Sequence, residues 1–92
     1  MRFEFKPSFD RSVKSLPEEE KKAIKKLCLH FIEAVAQAKR PSKGIGLKNL
    51  RGGFWEVRKG LHLRILFRWQ GSDVEFILAG THDEIKRFLR NA

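Results

Sequence analysis

Residues 53–69, GFWEVRKGLHLRILFRW, alternate bulky apolar side chains with charged ones across a break at Lys59-Gly60. A period of two marks strands with one face on a core and the other turned outward, so the stretch reads as a hairpin. Its register decides which charges share a face, because a slip of one residue exchanges the faces. A tight turn at Lys59-Gly60 would set Arg58 against Leu61 and Glu56 against Leu63, mixing charge with core. A longer, bulged connection instead brings Trp55 and Val57 onto the core face, with Glu56 opposite Arg64 and Arg58 opposite His62. The bulged register is the expected one. It gathers Glu56, Arg58, His62, Arg64 and Arg68 on a single outer face.

Downstream, LHLRILFRW and DVEFILAG flank Gly71-Ser72, a pair suited to a type II′ hairpin turn. That turn pairs Trp69 with Val74, Phe67 with Phe76 and Ile65 with Leu78 on the core face. The outer face receives Arg68 across from Glu75, Leu66 across from Ile77 and Arg64 across from Ala79. The closing segment GTHDEIKRFLRN reads as a helix: Thr81 and Glu84 have capping-box spacing, Asp83 and Glu84 open it, and Lys86, Arg87 and Arg90 lie toward its end. His82 then stands at the helix start beside the arginines, where a neutral imidazole can accept a proton.

Upstream, Phe3 and Phe5 alternate with charges in a short strand stopped by Pro7. Ser8 can cap a brief helix in which Phe9, Val13 and Leu16 share a face. SLPEEEKK opens a second helix, with Ser15 and Glu18 at capping-box spacing. Ile24, Leu27, Cys28, Phe31, Ile32 and Val35 form its apolar stripe, to about Ala38. KRPSKGIGLKN reads as a long basic loop. The expected fold is α+β: a small antiparallel sheet of about four strands, order β-α-α-β-β-β-α, with the helices packed on one face.

Ninety-two residues form a single domain, 1–92, since a chain of this size has no surface to spare for a second core. Twenty Lys and Arg against eleven Asp and Glu give a net charge of +9, which selects for a polyanionic partner without saying which. No apolar run suits a signal peptide or a membrane span, so a cytoplasmic protein without a membrane partner is expected. Lone Cys28 falls on the apolar stripe and reads as core filler. His30, His62 and His82 show no metal-ligand spacing, and neither metal nor cofactor is expected. Trp55, Phe67 and Trp69 read as core residues in preference to base-stacking platforms.

Two arginines, a histidine and a carboxylate on one face could hold a phosphodiester, because a guanidinium fork matches phosphate oxygens and stabilises a phosphoryl group as it gains charge. The same residues could bind a polyanion without chemistry, or form a solvated face of arginines paired with glutamates. Spacing leaves all three open.

The order of elements and several strings resemble the RelE/ParE superfamily of toxin-antitoxin toxins. The matching residues are FEFKPSFDRSVKSLP, GLKNLRGGFWEVR, LRILFRW and FILAGTHDEIKRFL, covering nearly the whole chain. GFWEVR also looks like the HigB-like branch. The resemblance implies a cytoplasmic toxin silenced by a cognate antitoxin, in a hetero-oligomer. In the RelE-like branch it further implies cleavage of mRNA on the ribosome, the 2′-hydroxyl attacking the adjacent phosphate without metal. It points to Arg64 as the stabiliser of the phosphoryl transition state, with Arg58 and His82 beside it. Phe88 stands where relatives carry a tyrosine and Glu56 where they carry a lysine, so His82 or Glu56 would serve as base. RNA contacts would fall to Lys43, Lys48, Arg51, Lys59, His62 and Arg68. A ParE-like gyrase inhibitor, or a toxin homologue acting by binding alone, is the alternative.

Overall fold

The computed structural model describes residues 1–39, 44–60 and 62–91. In chain order its elements are β1 (Arg2–Phe5), α1 (Pro7–Lys14), α2 (Glu18–Ala36), β2 (Ile45–Arg51), β3 (Phe54–Lys59), β4 (Arg64–Gln70), β5 (Asp73–Gly80) and α3 (His82–Arg90). The fold is α+β, as the hydrophobic periods require. Its sheet holds five strands in the order β1-β5-β4-β3-β2, with β1 parallel to β5 and the other neighbours antiparallel. The expected antiparallel sheet of about four strands therefore gains a member and becomes mixed. The extra strand is β2, from the segment read as loop, where glycine and lysine dilute the apolar alternation. An edge strand with one backbone side unpaired needs little apolar surface to form.

The β4-β5 hairpin turns at Gly71, whose φ of 57° needs no Cβ, and pairs Trp69 with Val74 and Phe67 with Phe76 as expected. Beyond that the register shifts: Leu66 faces Leu78 and Ile65 faces Ala79, leaving Ile77 as the extra residue of a bulge. Arg64 is consequently paired with Gly80, one place on from the expected Ala79.

On one face, Phe9 of α1 and Ile24, Leu27, Cys28 and Phe31 of α2 close over Val57, Ile65, Phe67 and Phe76. Phe31 and Phe67 are fully buried with ring centroids 4.6 Å apart, and Trp55 and Trp69 pack at the rim, so the aromatic residues are core as read. The other face of the same sheet carries a smaller apolar cluster, in which Ile85, Phe88 and Leu89 of α3 meet Leu66, Ile77 and Leu78. The helices thus do not all lie on one face. The bulge turns Ile77 and Leu78 together toward α3, and burying Ile85 against them contributes about 1.5–3 kcal/mol.

Two expected caps take other roles. The Ser8 hydroxyl donates to the Ile77 carbonyl at 2.6 Å, and the Ala79 amide donates to the Ser12 hydroxyl at 2.9 Å. Both serve the edge of β5 beyond the last residue of β1, where backbone groups would otherwise lack partners. Ser15 donates to the Ser12 carbonyl at 3.0 Å instead of capping α2, whose N-cap is Pro17. At α3 the capping box forms as read: the Glu84 amide donates to Thr81 Oγ1 at 3.3 Å, and the Thr81 amide to Glu84 Oε1 at 3.0 Å.

Candidate functional site

Strands β3 and β4 pair two residues away from the expected register. Arg58 faces Arg64, Glu56 faces Leu66 and Trp55 faces Phe67. The strands β3 and β4 are joined by residues 60–63, and five residues separate the paired Arg58 and Arg64, longer than a bulged tight turn, with Gly60 at a φ of 77°. Leu61 lies outside the described residues. A shift of two keeps every side chain on its assigned face, so Val57 and Trp55 still reach the α2 side and Glu56, Arg58, Arg64 and Arg68 the other.

Directly opposed residues share a face, so the outer side of the sheet can be read in rows. One row is Gly46, Arg58, Arg64 and Gly80; the next is Lys48, Glu56, Leu66 and Leu78. Glu56 and Arg64 are diagonal neighbours across the two rows, and Arg64 Nη1 meets Glu56 Oε1 at 2.6 Å. Glu56 is only 2% exposed, and the Arg64 side chain 14%. A carboxylate this buried persists because the guanidinium supplies both opposite charge and a hydrogen bond.

The same Nη1 lies 2.8 Å from His82 Nδ1. A guanidinium can only donate, so Nδ1 accepts and the imidazole proton sits on Nε2. His82 arrives there because Gly80 ends β5 beside Arg64 and Thr81 caps α3 immediately after. Gly80 also has a steric reason: a Cβ there would stand 3.1 Å from Glu84 Oε1, the acceptor in the capping box. Arg64 Nε is buried without a hydrogen-bond partner. A chain of carboxylate, guanidinium and imidazole thus runs from a buried strand position to an exposed helix start.

Arg58 is exposed and stands directly across from Arg64, and Lys48 is exposed across from Glu56. These two cations join the cluster on its face. The remaining candidates fall elsewhere. Arg51 and Arg68 share the face but lie toward the far end of α3, where Arg51 Nη2 donates to the Leu89 carbonyl and Arg68 stacks over the Phe54 ring at 5.7 Å. Glu75 lies across from Arg68 as expected, and its carboxylate pairs with Lys6 at 3.0 Å. His62 does not join the outer face: with Lys59 it lines a cleft of about 440 Å³ against Glu20, Ala23 and His30 of α2. The longer connection carries His62 to that side, whereas Lys59 ends β3 opposite Ile45 and lies there by the same alternation as Val57. Lys43 lies outside the described residues. Phe88 is half-buried in the α3 core.

Sequence reasoning missed Gly46. It reads as a loop breaker, but in the sheet it is the residue under the Arg58 side chain: a Cβ there would meet Arg58 Nε at 3.0 Å and Cγ at 3.2 Å. The available signal was a glycine between two apolar residues in an alternating segment.

Among the described residues no group of three or more His, Cys, Asp and Glu is placed to hold a metal ion. No helix there is long and apolar enough to cross a membrane. A separate groove of about 580 Å³ runs between α1 and α2, floored by Phe9, Ile24 and Cys28, away from the cluster.

No protein-family model matches the sequence, and no curated protein does. Solved structures share the fold. A metal-bound toxin from Helicobacter pylori superposes with a TM-score of 0.69 at 17% identity, over 92% of this chain and 98% of that one. A copper-bound variant toxin from the same organism gives 0.67 at 12%, with the same coverage. The toxin-antitoxin complex RelB-RelE from Methanococcus jannaschii gives 0.66 at 20%, over 92% of this chain and 96% of that one. The chain shares its fold with these toxins.

Proposed function

We propose that this protein is the toxin of a toxin-antitoxin pair and cleaves mRNA on the ribosome without a metal ion, held silent by a cognate antitoxin. The observation that carries the reading is Arg64, whose guanidinium is shared between buried Glu56 and exposed His82 on a face that also presents Arg58 and Lys48. The shared toxin fold supports it.

In this reading the scissile phosphate draws the Arg64 fork outward and frees His82 Nδ1. The imidazole takes the proton of the 2′-hydroxyl, and the 2′-oxygen attacks phosphorus. Arg64, with Arg58 beside it, balances the charge gained by the phosphoryl oxygens. The bond to the 5′-oxygen breaks, that oxygen takes a proton from water, and a 2′,3′-cyclic phosphate remains. Glu56 is too buried to meet a hydroxyl, so it holds Arg64 in place and His82 handles the proton. Lys48 contacts the RNA backbone.

The test is single-turnover cleavage of mRNA on purified ribosomes, with the new 5′ ends mapped. Arg64→Lys is the informative change, because it keeps a charge for Glu56 while losing the fork; Arg64→Ala would strand a buried carboxylate. Arg64→Lys and His82→Gln should each slow cleavage by at least ~100-fold. Absence of cleavage by the parent protein refutes the reading. A second reading is favoured by one feature, that Arg64 is already paired within the chain: the toxin acts by binding alone, as a gyrase inhibitor does. Inhibited DNA supercoiling without mRNA cleavage would select it.

A further inference from the structure

Arg58 and Arg64 stand directly opposite each other on β3 and β4, an arrangement that like charges disfavour. Arg64 is relieved by Glu56 at 2.6 Å. Arg58 has no ion-pair or hydrogen-bond partner among the described residues, and its relief is geometric. Its side chain leans away from Arg64 and passes over the backbone of Gly46 on β2, where a Cβ would lie 3.0 Å from Nε, 3.2 Å from Cγ and 3.7 Å from Cδ. Gly46 does not have a positive φ, so nothing in the backbone demands glycine there. What a side chain there would crowd is the arginine above.

We propose that Gly46 is a positioning residue, whose missing side chain lets Arg58 lie over the edge strand, apart from Arg64, and leaves a gap between two guanidinium groups that a backbone phosphate of RNA fills. The inference rests on the reading of this face as an RNA-contacting one. The methyl group introduced by Gly46→Ala would stand 3.0 Å from Nε and 3.2 Å from Cγ, so Arg58 must shift by a few tenths of an ångström, either toward solvent or toward the like charge of Arg64. Both displacements disturb the preset position of the guanidinium while leaving the net charge unchanged.

The experiment is a double-mutant cycle on Gly46→Ala and Arg58→Ala, read by binding of a non-cleavable 2′-O-methyl RNA oligonucleotide across a salt series. The net charge of +9 makes binding measurable at low salt. Arg58→Ala should lower the slope of log affinity against log salt by about 0.7, the value of one phosphate contact on a single strand. Gly46→Ala should weaken binding in the same direction. In the Arg58→Ala background Gly46→Ala should change affinity by less than about twofold, because its effect acts through a side chain no longer present. The melting temperature of Gly46→Ala should equal or exceed that of the parent, since alanine orders a strand backbone at lower entropic cost. Parent-like affinity in Gly46→Ala overturns the proposal, as does an additive loss in the double variant. So does a fall in melting temperature that persists in the double variant, which would locate the effect in β2 itself. If Arg58→Ala leaves the salt slope unchanged, the face is not an RNA contact and the functional reading fails with it; a fall in slope for Arg58→Ala with no effect of Gly46→Ala sinks the positioning role alone.

Discussion

Replacing Glu56 by alanine is the sharpest perturbation of the cluster, because the side chain is 2% exposed and its carboxylate meets Arg64 at 2.6 Å. Removing one partner of a buried ion pair costs about 3–5 kcal/mol, most of it from the charge left behind. Here Arg64 keeps 14% of its side chain exposed and retains its contact with His82, so the lower end applies, about 3 kcal/mol. For a domain of this size each kcal/mol moves the melting temperature by about 4–8 °C, giving a drop of about 12–24 °C. Calorimetry and urea denaturation would measure it. Repeating the melts at ~0.1 and ~1 M salt separates buried from exposed pairing, since only exposed charges are well screened. Glu56→Gln, which keeps the volume and one acceptor, should lose less. A loss below about 1 kcal/mol in Glu56→Ala, or one that vanishes at high salt, would mean that the pair is solvated and that Glu56 does not hold Arg64.

The remaining predictions concern the frame around the cluster. Burial pushes the Cys28 thiol up to about 12, so iodoacetamide should label it at pH 8 only through unfolding, while a denatured control reacts quickly. The unfolded chain then loses this proton before the folded one does, so stability should fall as pH rises from the ordinary thiol range toward 12, measurable by urea titration against Cys28→Ala. Thr81→Ala removes the capping box and should cost about 1 kcal/mol, with faster amide exchange in the first turn of α3 and weaker placement of His82. Phe67→Ala empties the centre of the aromatic core and should cost about 3–5 kcal/mol by chemical denaturation, without changing the outer face directly.

Much of the candidate cluster was legible before the fold was known. Alternation put Glu56, Arg58, Arg64 and Arg68 on one side of the sheet, and they remain there although β3 and β4 pair two residues from the expected register. Parity tolerates an even error. The capping box placed His82 at a helix start, and the end of β5 beside Arg64 brought the imidazole within 2.8 Å of the guanidinium. His62 was misplaced because the connection between strands is longer than the turn signal suggested, and it carries the residue toward α2; Lys59, expected among the RNA contacts, lies on that side by the alternation of β3 itself. The strand β2 was missed because its glycine, which clears the way for Arg58, looks like a loop residue when its neighbour in space is unknown.

The sequence by itself determined the periods: two helices with apolar stripes, a run of alternating strands, a capped closing helix, and a basic surface. Those follow from local steric preference and from the spacing at which side chains return to one face. Tertiary structure alone decided that β1 joins β5 in parallel, that α3 covers the second face, and that Glu56 meets Arg64 on the diagonal. Each of these depends on a bulge, a loop length or a strand order, which are fixed by the free energy of packing distant segments together and leave no periodic trace in the chain.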